Sequence, residues 1–200
     1  MYSKSDKADR SSREDERLIR DFLAGDAGAF DRLVARHQDM AFNLCFRITG
    51  DYDEAHDCAQ ETFIKVYKNV EKFRFQSSFT TWLYRIAVNT CRNRMTSSFG
   101  KQLKRMVRID DNPGPDGYKL ELRDSSFTPE SLFVKNEDAR LIHEAIGSLP
   151  SSLKELVVLR DLEGKSYEEI STITGINLGT VKSRLARARH LLRESLRGVW

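Results

Sequence analysis

Asp110-Asp111-Asn112-Pro113-Gly114-Pro115-Asp116-Gly117 stands near the middle of the 200 residues, and no helix can run through it. Proline lacks the backbone donor that an inner helical turn needs, and glycine disfavours the helix as well. Few apolar residues between Ser97 and Pro129 are spaced for burial. A stretch of roughly thirty such residues is too long for a loop within one compact domain, so it reads as a tether. On either side, apolar residues recur at helical spacing, and no segment alternates as a strand would. The expectation is an all-α fold of two small helical domains on a flexible linker. A polar arm is expected at 1–13, a first domain at 14–97, the linker at 98–131 and a second domain at 132–200. No internal repeat is visible.

In the first block, helices are expected over about Glu14–Ala24, Ala29–Thr49, Asp53–Tyr67 and Thr81–Met95. They are separated by Gly25-Asp26, by Gly50-Asp51 and by a loop over Val70–Thr80. Phe30, Leu33, Val34, Met40, Ala41, Leu44 and Cys45 give the second helix an apolar stripe. In the second block, Leu141, Ile142, Ala145, Ile146 and Leu149 mark a helix that ends at Pro150. Leu153, Leu156, Val157 and Leu159 mark the next, which Gly164 stops. Ser152 and Glu155 are spaced as its capping box.

The segment Ser166–Leu192 then reads as a helix-turn-helix. Ser166 and Glu169 form a capping box, Gly175 ends the first helix in a left-handed turn, and Asn177 caps the second. Ile170, Ile173, Ile176, Val181 and Leu185 fall where the pair must face each other and a small core. Lys182, Arg184, Arg187, Arg189 and Arg193 are left outward, as a helix lying in a DNA major groove requires. The plainer alternative is a solvated basic helix in an ordinary αα-hairpin. Turn, caps and basic face together favour the DNA reading.

Net charge is only +3, so basic character matters through its placement. No apolar run approaches membrane-span length, and Met1–Arg17 has no apolar stretch to act as a secretory signal. A cytoplasmic protein without membrane insertion is expected, with no further domain after Arg197. Cys45, Cys58 and Cys91 are odd in number and lack CxxC spacing, against a disulfide framework or structural zinc. His56 and Cys58, two apart, point to different helical faces; His37 could in principle join them, but buried free thiols are the expectation. No phosphate loop, nucleophile elbow or HExxH is present, and neither an enzyme nor a bound cofactor or metal is expected.

A second nucleic-acid surface is expected in Phe73–Arg94, FRFQSSFTTWLYRIAVNTCRNR. Phe73, Phe75, Phe79, Trp82 and Tyr84 are interleaved with polar and basic residues. Arg85, Asn89, Arg92, Asn93 and Arg94 follow at spacings that share part of one helical surface. Aromatic faces stack on unpaired bases, while arginine and asparagine bind phosphates and base edges, which suits single-stranded or melted DNA. Trp82 and Ile86 fit a helical core equally well. Before this segment, Asp53–Lys68 (DEAHDCAQETFIKVYK) sets Asp57, Gln60, Glu61 and Lys65 around an amphipathic helix whose polar face chemistry alone would leave to solvent.

Those two segments, with SLPSSLKELVVLRDLEGKSYEEISTITGINLGTVKSRLARAR, occur in an order and separation that resembles the bacterial extracytoplasmic-function (group 4) RNA polymerase sigma factors. The likeness runs from about Leu18 to Arg197, and FTTWLYRIAVNT resembles the envelope-stress branch. The resemblance implies a region 2-like domain, a region 4-like domain and a linker that threads the polymerase's RNA path. It implies a promoter-specificity subunit that recognises −10 and −35 elements, aids melting and supplies no chemistry. Partners so implied are core RNA polymerase through its largest and second-largest subunits, promoter DNA and an anti-sigma factor.

By resemblance, Asp53, Asp57, Gln60, Glu61, Phe63 and Lys65 face the polymerase. Phe73, Phe75, Ser77, Ser78, Phe79, Thr80, Trp82, Arg85, Asn89, Arg92 and Asn93 meet the −10 element, with Asn89 at the pocket for a flipped base. Tyr167, Glu168, Asn177, Gly179, Thr180, Lys182, Ser183, Arg184, Ala186, Arg187 and Arg189 meet the −35 element. Three positions depart from the family pattern. Ser171 stands where alanine is usual, so its hydroxyl needs a carbonyl. Ala186 replaces a bulkier residue, and Lys182 replaces an arginine, exchanging bidentate guanine readout for a point charge. Two rival classes are a freestanding repressor or activator using the helix-turn-helix alone, and an enzyme acting through Cys58 or Cys91. The repressor leaves the aromatic segment and the polar helix without a purpose.

Overall fold

A computed structural model of the chain describes residues 4–105 and 137–197. Every regular element among them is helical. The first block contains α1 (Lys4–Leu23), α2 (Ala27–Thr49), α3 (Tyr52–Asn69), a 3₁₀ turn (Val70–Lys72) and α4 (Phe79–Arg105). The second contains α5 (Glu137–Ser148), α6 (Ser151–Val157), which runs through a π turn (Val158–Leu162), then α7 (Tyr167–Thr174) and α8 (Leu178–Leu196). None of these helices is long and apolar enough to cross a membrane.

The stops and caps work as their residues dictate. Gly50 closes α2 at φ 79°, its N–H donating to the Phe46 carbonyl. Asp51 caps α3 by accepting from the Glu54 N–H at 2.9 Å. Gly164 follows the π turn at φ 66°.

Four expectations are corrected. Helix α1 starts at Lys4, so most of the expected arm is helical. Its middle is tied to α2, where Arg36 donates to Ser11 Oγ at 3.2 Å and to Asp15 at 3.1 Å. Helix α4 continues to Arg105, into the expected linker; the rest of that expectation, 106–131, lies outside the described residues, as does the helical return at 132–136. Ser152 and Glu155 form no capping box. Pro150, extended at ψ 139°, is the N-cap and its carbonyl accepts the first helical bonds, so Ser152 already sits inside the first turn. Glu155 is buried instead. Ile142 is 45% exposed and points away from the core that its helical spacing suggested.

Two apolar clusters hold the fold. The first lies within the N-terminal block and joins Leu18 and Ile19 of α1 to Phe30 and Leu33 of α2, Phe63 of α3, and Phe79 and Leu83 of α4. The second joins Phe42, Leu44 and Cys45 of α2 and Val88 and Cys91 of α4 to Leu156, Leu159, Ile170 and Leu185 of the C-terminal block. The two blocks therefore share one core, with α7 packed against α4 and α6 against α2.

Candidate nucleic-acid interface

The helix-turn-helix is built as its sequence requires. Ser166 Oγ accepts from the Glu169 N–H at 3.1 Å, and the Glu169 carboxylate accepts from the Ser166 N–H at 2.7 Å. Gly175 adopts φ 71° at the turn, and Asn177 Oδ1 accepts from the Thr180 N–H at 2.8 Å. Ile170, Ile173, Val181 and Leu185 are buried, with Ile176 partly so. Ser171 meets the demand its hydroxyl creates by donating to the Ile176 carbonyl at 2.7 Å across the turn. That bond ties the end of α7 to the start of α8.

The face so presented carries Asn177, Gly179, Lys182, Ser183, Ala186 and Arg187 exposed, with Thr180 and Arg184 half-buried. Glu168 is exposed at the start of α7, whereas Tyr167 is half-buried beneath the Arg160 guanidinium, 4.9 Å from its ring centre. Arg189 is engaged with Asp161 of the π turn at 2.6 Å. A π turn places its side chains out of the α register. Here it brings Arg160 over the Tyr167 ring and the exposed Asp161 to Arg189.

In the N-terminal block, the aromatic segment divides. Phe79 (1% exposed) and Phe73 (7%) belong to the core, and Tyr84 is buried too. The expectation that Phe73 and Phe79 offer their faces to bases is corrected: Phe73, just after the 3₁₀ turn, and Phe79, at the start of α4, both pack into the core of the first block. Phe75 and Trp82 are half-buried and reach the surface. Phe75 holds φ at +55°, a left-handed conformation uncommon for a bulky side chain that costs about 1–3 kcal/mol. Its ring lies 4.9 Å from Phe73 and under the Arg20 guanidinium at 5.3 Å, contacts that hold the strained turn. Ser78 caps α4 by accepting from the Thr81 N–H at 3.2 Å, with Ser77 and Thr80 half-buried beside it.

Along α4, Arg85, Asn89 and Asn93 recur every four residues and are exposed. Arg92 donates to Asn89 Oδ1 at 3.3 Å. Asn89 also opens onto a cleft of about 470 Å³, lined by Lys65, Asn69, Lys72, Trp82, Ile86, Asn89 and Thr90. Two amides, two ammonium groups and one indole around a cleft of this size offer base-edge contacts, a phosphate counter-charge and a stacking face together. Asn69 and Lys72 escaped the sequence reading. Asn69 lies one helical turn beyond Lys65, which places the two on one face of α3.

Helix α3 presents Asp53 and Asp57 exposed and Gln60, Glu61 and Lys65 half-buried. Phe63 is 1% exposed and packs in the core, so its expected place on a docking face is corrected. Lys65 pairs with Glu61 at 2.7 Å and donates to Thr90 Oγ1 at 3.0 Å, which turns it toward the Asn89 cleft. Arg94 of α4 pairs with both Glu54 and Asp57, the latter at 2.5 Å, which fixes the carboxylate edge of α3 against α4. Glu54 and Arg94 had no place among the expected polymerase-facing residues.

Cys45, Cys58 and Cys91 are all fully buried in the shared core. They come from three helices yet meet, Cys91 interacting with both of the others. The contact with Cys91, followed by burial, pushes the Cys58 thiol well above its ordinary range, and the contact with Cys45 does the same for Cys91. Among the described residues, no group of three His, Cys, Asp or Glu side chains is arranged to hold a metal ion.

Comparison with known proteins bears on both halves. The family model Sigma-70 region 2 matches residues 33–98, and Sigma-70, region 4 matches residues 139–192. The chain is 38% identical over 182 residues to the ECF RNA polymerase sigma-E factor of Haemophilus influenzae, covering 91% of this chain and 95% of that one. It is 37% identical over 183 residues to the RNA polymerase sigma-H factor of Pseudomonas aeruginosa, covering 92% and 94%. Among solved structures, the Bartonella quintana sigma factor RpoE, in complex with the anti-sigma factor NepR, is 25% identical with a TM-score of 0.60. That match covers 84% of this chain and 96% of the other.

Proposed function

This chain belongs to the extracytoplasmic-function RNA polymerase sigma factors, and from that membership and the geometry above we propose how its residues divide the work of promoter selection. The chain directs transcription initiation at promoters; the polymerase makes the RNA. In the second domain, Lys182, Ser183 and Arg187 read base edges of the −35 element, while Tyr167, Glu168, Asn177, Gly179 and Thr180 hold its backbone. Arg184, Ala186 and Arg189 border that surface. In the first domain, the Asn89 cleft captures an unpaired base of the −10 element. Trp82 supplies the stacking face, Lys65 and Lys72 the phosphate counter-charge, and Arg85 and Asn93 extend the track along α4. Phe75, Ser77, Ser78 and Thr80 form the rim.

Asp53, Asp57, Gln60 and Glu61 form the acidic face that docks on core polymerase. Lys65 passes from that face to the DNA side, because it is drawn toward Thr90 and Asn89. An anti-sigma factor binds the chain and restrains it, as NepR binds the solved Bartonella relative. The work is cytoplasmic, where polymerase and promoter are.

The observation that carries this proposal is the Asn89 cleft, whose amides, cations and indole a freestanding helix-turn-helix repressor would not need. Its test is gel-shift and potassium permanganate footprinting of the reconstituted holoenzyme on a promoter duplex, with Asn89→Ala and Lys72→Ala. Both variants are expected to lose reactivity of the melted −10 thymines while core polymerase still binds. Melting at the unaltered level in both would remove the cleft from the mechanism.

A further inference from the structure

We propose that α1 sets how the −10 cleft selects its base without touching DNA: Asp15 acting through His37, and Arg20 acting through Phe75, are positioning residues for the Trp82 indole. Asp15 is 1% exposed, and a carboxylate so deep in the protein must be partnered. Its Oδ1 accepts from His37 Nε2 at 2.9 Å and from Arg36 Nε at 3.1 Å, both on α2. The first bond fixes the plane of a buried imidazole, whose centre lies 5.1 Å from that of the Phe79 ring at an interplanar angle of 58°. Phe79 opens α4, and its ring stands 6.0 Å from that of Trp82. Further along the same helix as Asp15, the Arg20 guanidinium covers Phe75 at 5.3 Å. From there Phe75 meets Phe73 at 4.9 Å, and Phe73 meets Trp82 at 5.1 Å. Two chains of contacts that start on one helix thus converge on one indole.

Anchoring α1 does not require this arrangement. Leu18 and Ile19 already bury the helix in the first apolar cluster. A buried carboxylate with polar partners is often no more stabilising than apolar groups of the same volume. What directional hydrogen bonds add is orientation. The loop needs it, because residues 73–78 form no helix of their own and Phe75 holds its left-handed conformation among them. Stacking tolerates every base. The Asn89 and Asn69 amides, by contrast, meet a base edge only where the stacked base is held within about 0.5 Å and 10–20° of the right pose. A displaced indole therefore lowers selectivity before it lowers affinity. Asp15, His37 and Arg20 do not line the cleft, so their effect passes through the rings. Their bearing on promoter choice rests on the base-capture reading of that cleft; their hold on Trp82 does not.

The test uses the full chain with Trp200→Phe, which leaves Trp82 as its one tryptophan. Fluorescence emission is read on the free chain. Competition transcription is read on the holoenzyme, between templates that differ at one −10 position or only in the −35 element. Arg20→Gln and Asp15→Asn are each expected to shift Trp82 emission and to cut −10 discrimination about fivefold or more, the lower end of what one base contact is worth. Discrimination at the −35 element should stay at the wild-type level. His37→Gln, which keeps a donor for Asp15, should retain more −10 discrimination than His37→Leu, which keeps only bulk. If thermal melting shows that Asp15→Asn does not fold, the surface change Arg20→Gln decides alone. Unmoved Trp82 emission, −10 discrimination kept where Asn89→Ala loses it, or equal losses at both elements would overturn the proposal. Should Asn89→Ala also leave −10 discrimination intact, the base-capture reading falls, and Trp82 emission alone judges the hold of α1 on the indole.

Discussion

Glu163 and Tyr84, separated by 79 residues and belonging to different domains, share a hydrogen bond of 2.6 Å in which the phenol donates. Burial first, and then the bond to Glu163 and its charge, raises the Tyr84 pKa far above the ordinary phenol range. The folded chain thus holds this proton more tightly than the unfolded chain. That contributes stability fully present below about pH 10 and lost as pH rises above it. In a spectrophotometric titration of the six tyrosines, one is expected to resist ionisation until the chain unfolds. Glu163→Ala should bring that tyrosine toward the others. Six tyrosines titrating together in the native chain would contradict the contact.

Phe79 and Phe75 lie four residues apart in one aromatic run but carry different loads. Phe79 is fully buried, so Phe79→Ala should lower unfolding free energy by about 3–5 kcal/mol in urea titrations. Phe75→Gly removes a ring from the rim but releases the strained backbone, so its stability cost should be under about 1 kcal/mol. A larger loss for Phe75 than for Phe79 would reverse the assignment of core and rim.

The three thiols should be inert. Raised pKa values keep Cys58 and Cys91 protonated at pH 8, and burial denies access to all three. Iodoacetamide mass labelling is expected to modify none of them in the native chain and all three in denaturant. Rapid native labelling of any one would point to a reactive or redox-sensing role.

On the helix-turn-helix, Asn177→Ala should cost about 1 kcal/mol of stability, because it orphans the Thr180 N–H. Arg187→Ala should cost about 1–3 kcal/mol of discrimination between −35 sequences, with little effect on a promoter lacking that element. Urea titration measures the first effect, and competition transcription between paired templates the second. An equal loss on every template would make Arg187 a phosphate contact instead.

The helix-turn-helix was legible almost residue by residue, because Ser166, Glu169, Gly175 and Asn177 act on backbone groups only a few positions away. Local chemistry of that kind survives whatever the rest of the chain does. The aromatic segment was less legible. A phenylalanine that fills a core and one that meets a base have the same composition, and only the tertiary packing of α4 on α1 and α2 separates Phe79 from Phe75. Phe63 was misplaced for the same reason. Glu155 shows the limit best. At three residues past Ser152 it imitates a capping box, yet Pro150 has already opened the helix, and its real partner is Arg92, 63 residues away. No local pattern announces such a pair.

The most direct measurement of the account is mapping of RNA 5′ ends in a defined mixture of bacterial core polymerase, this chain and a library of promoter-length templates. The account predicts stoichiometric association, and new starts downstream of one shared pair of upstream words. It further predicts that Asn89→Ala relaxes the nearer word and Arg187→Ala the farther one. Association without new starts, or new starts whose upstream words both variants leave untouched, would contradict it.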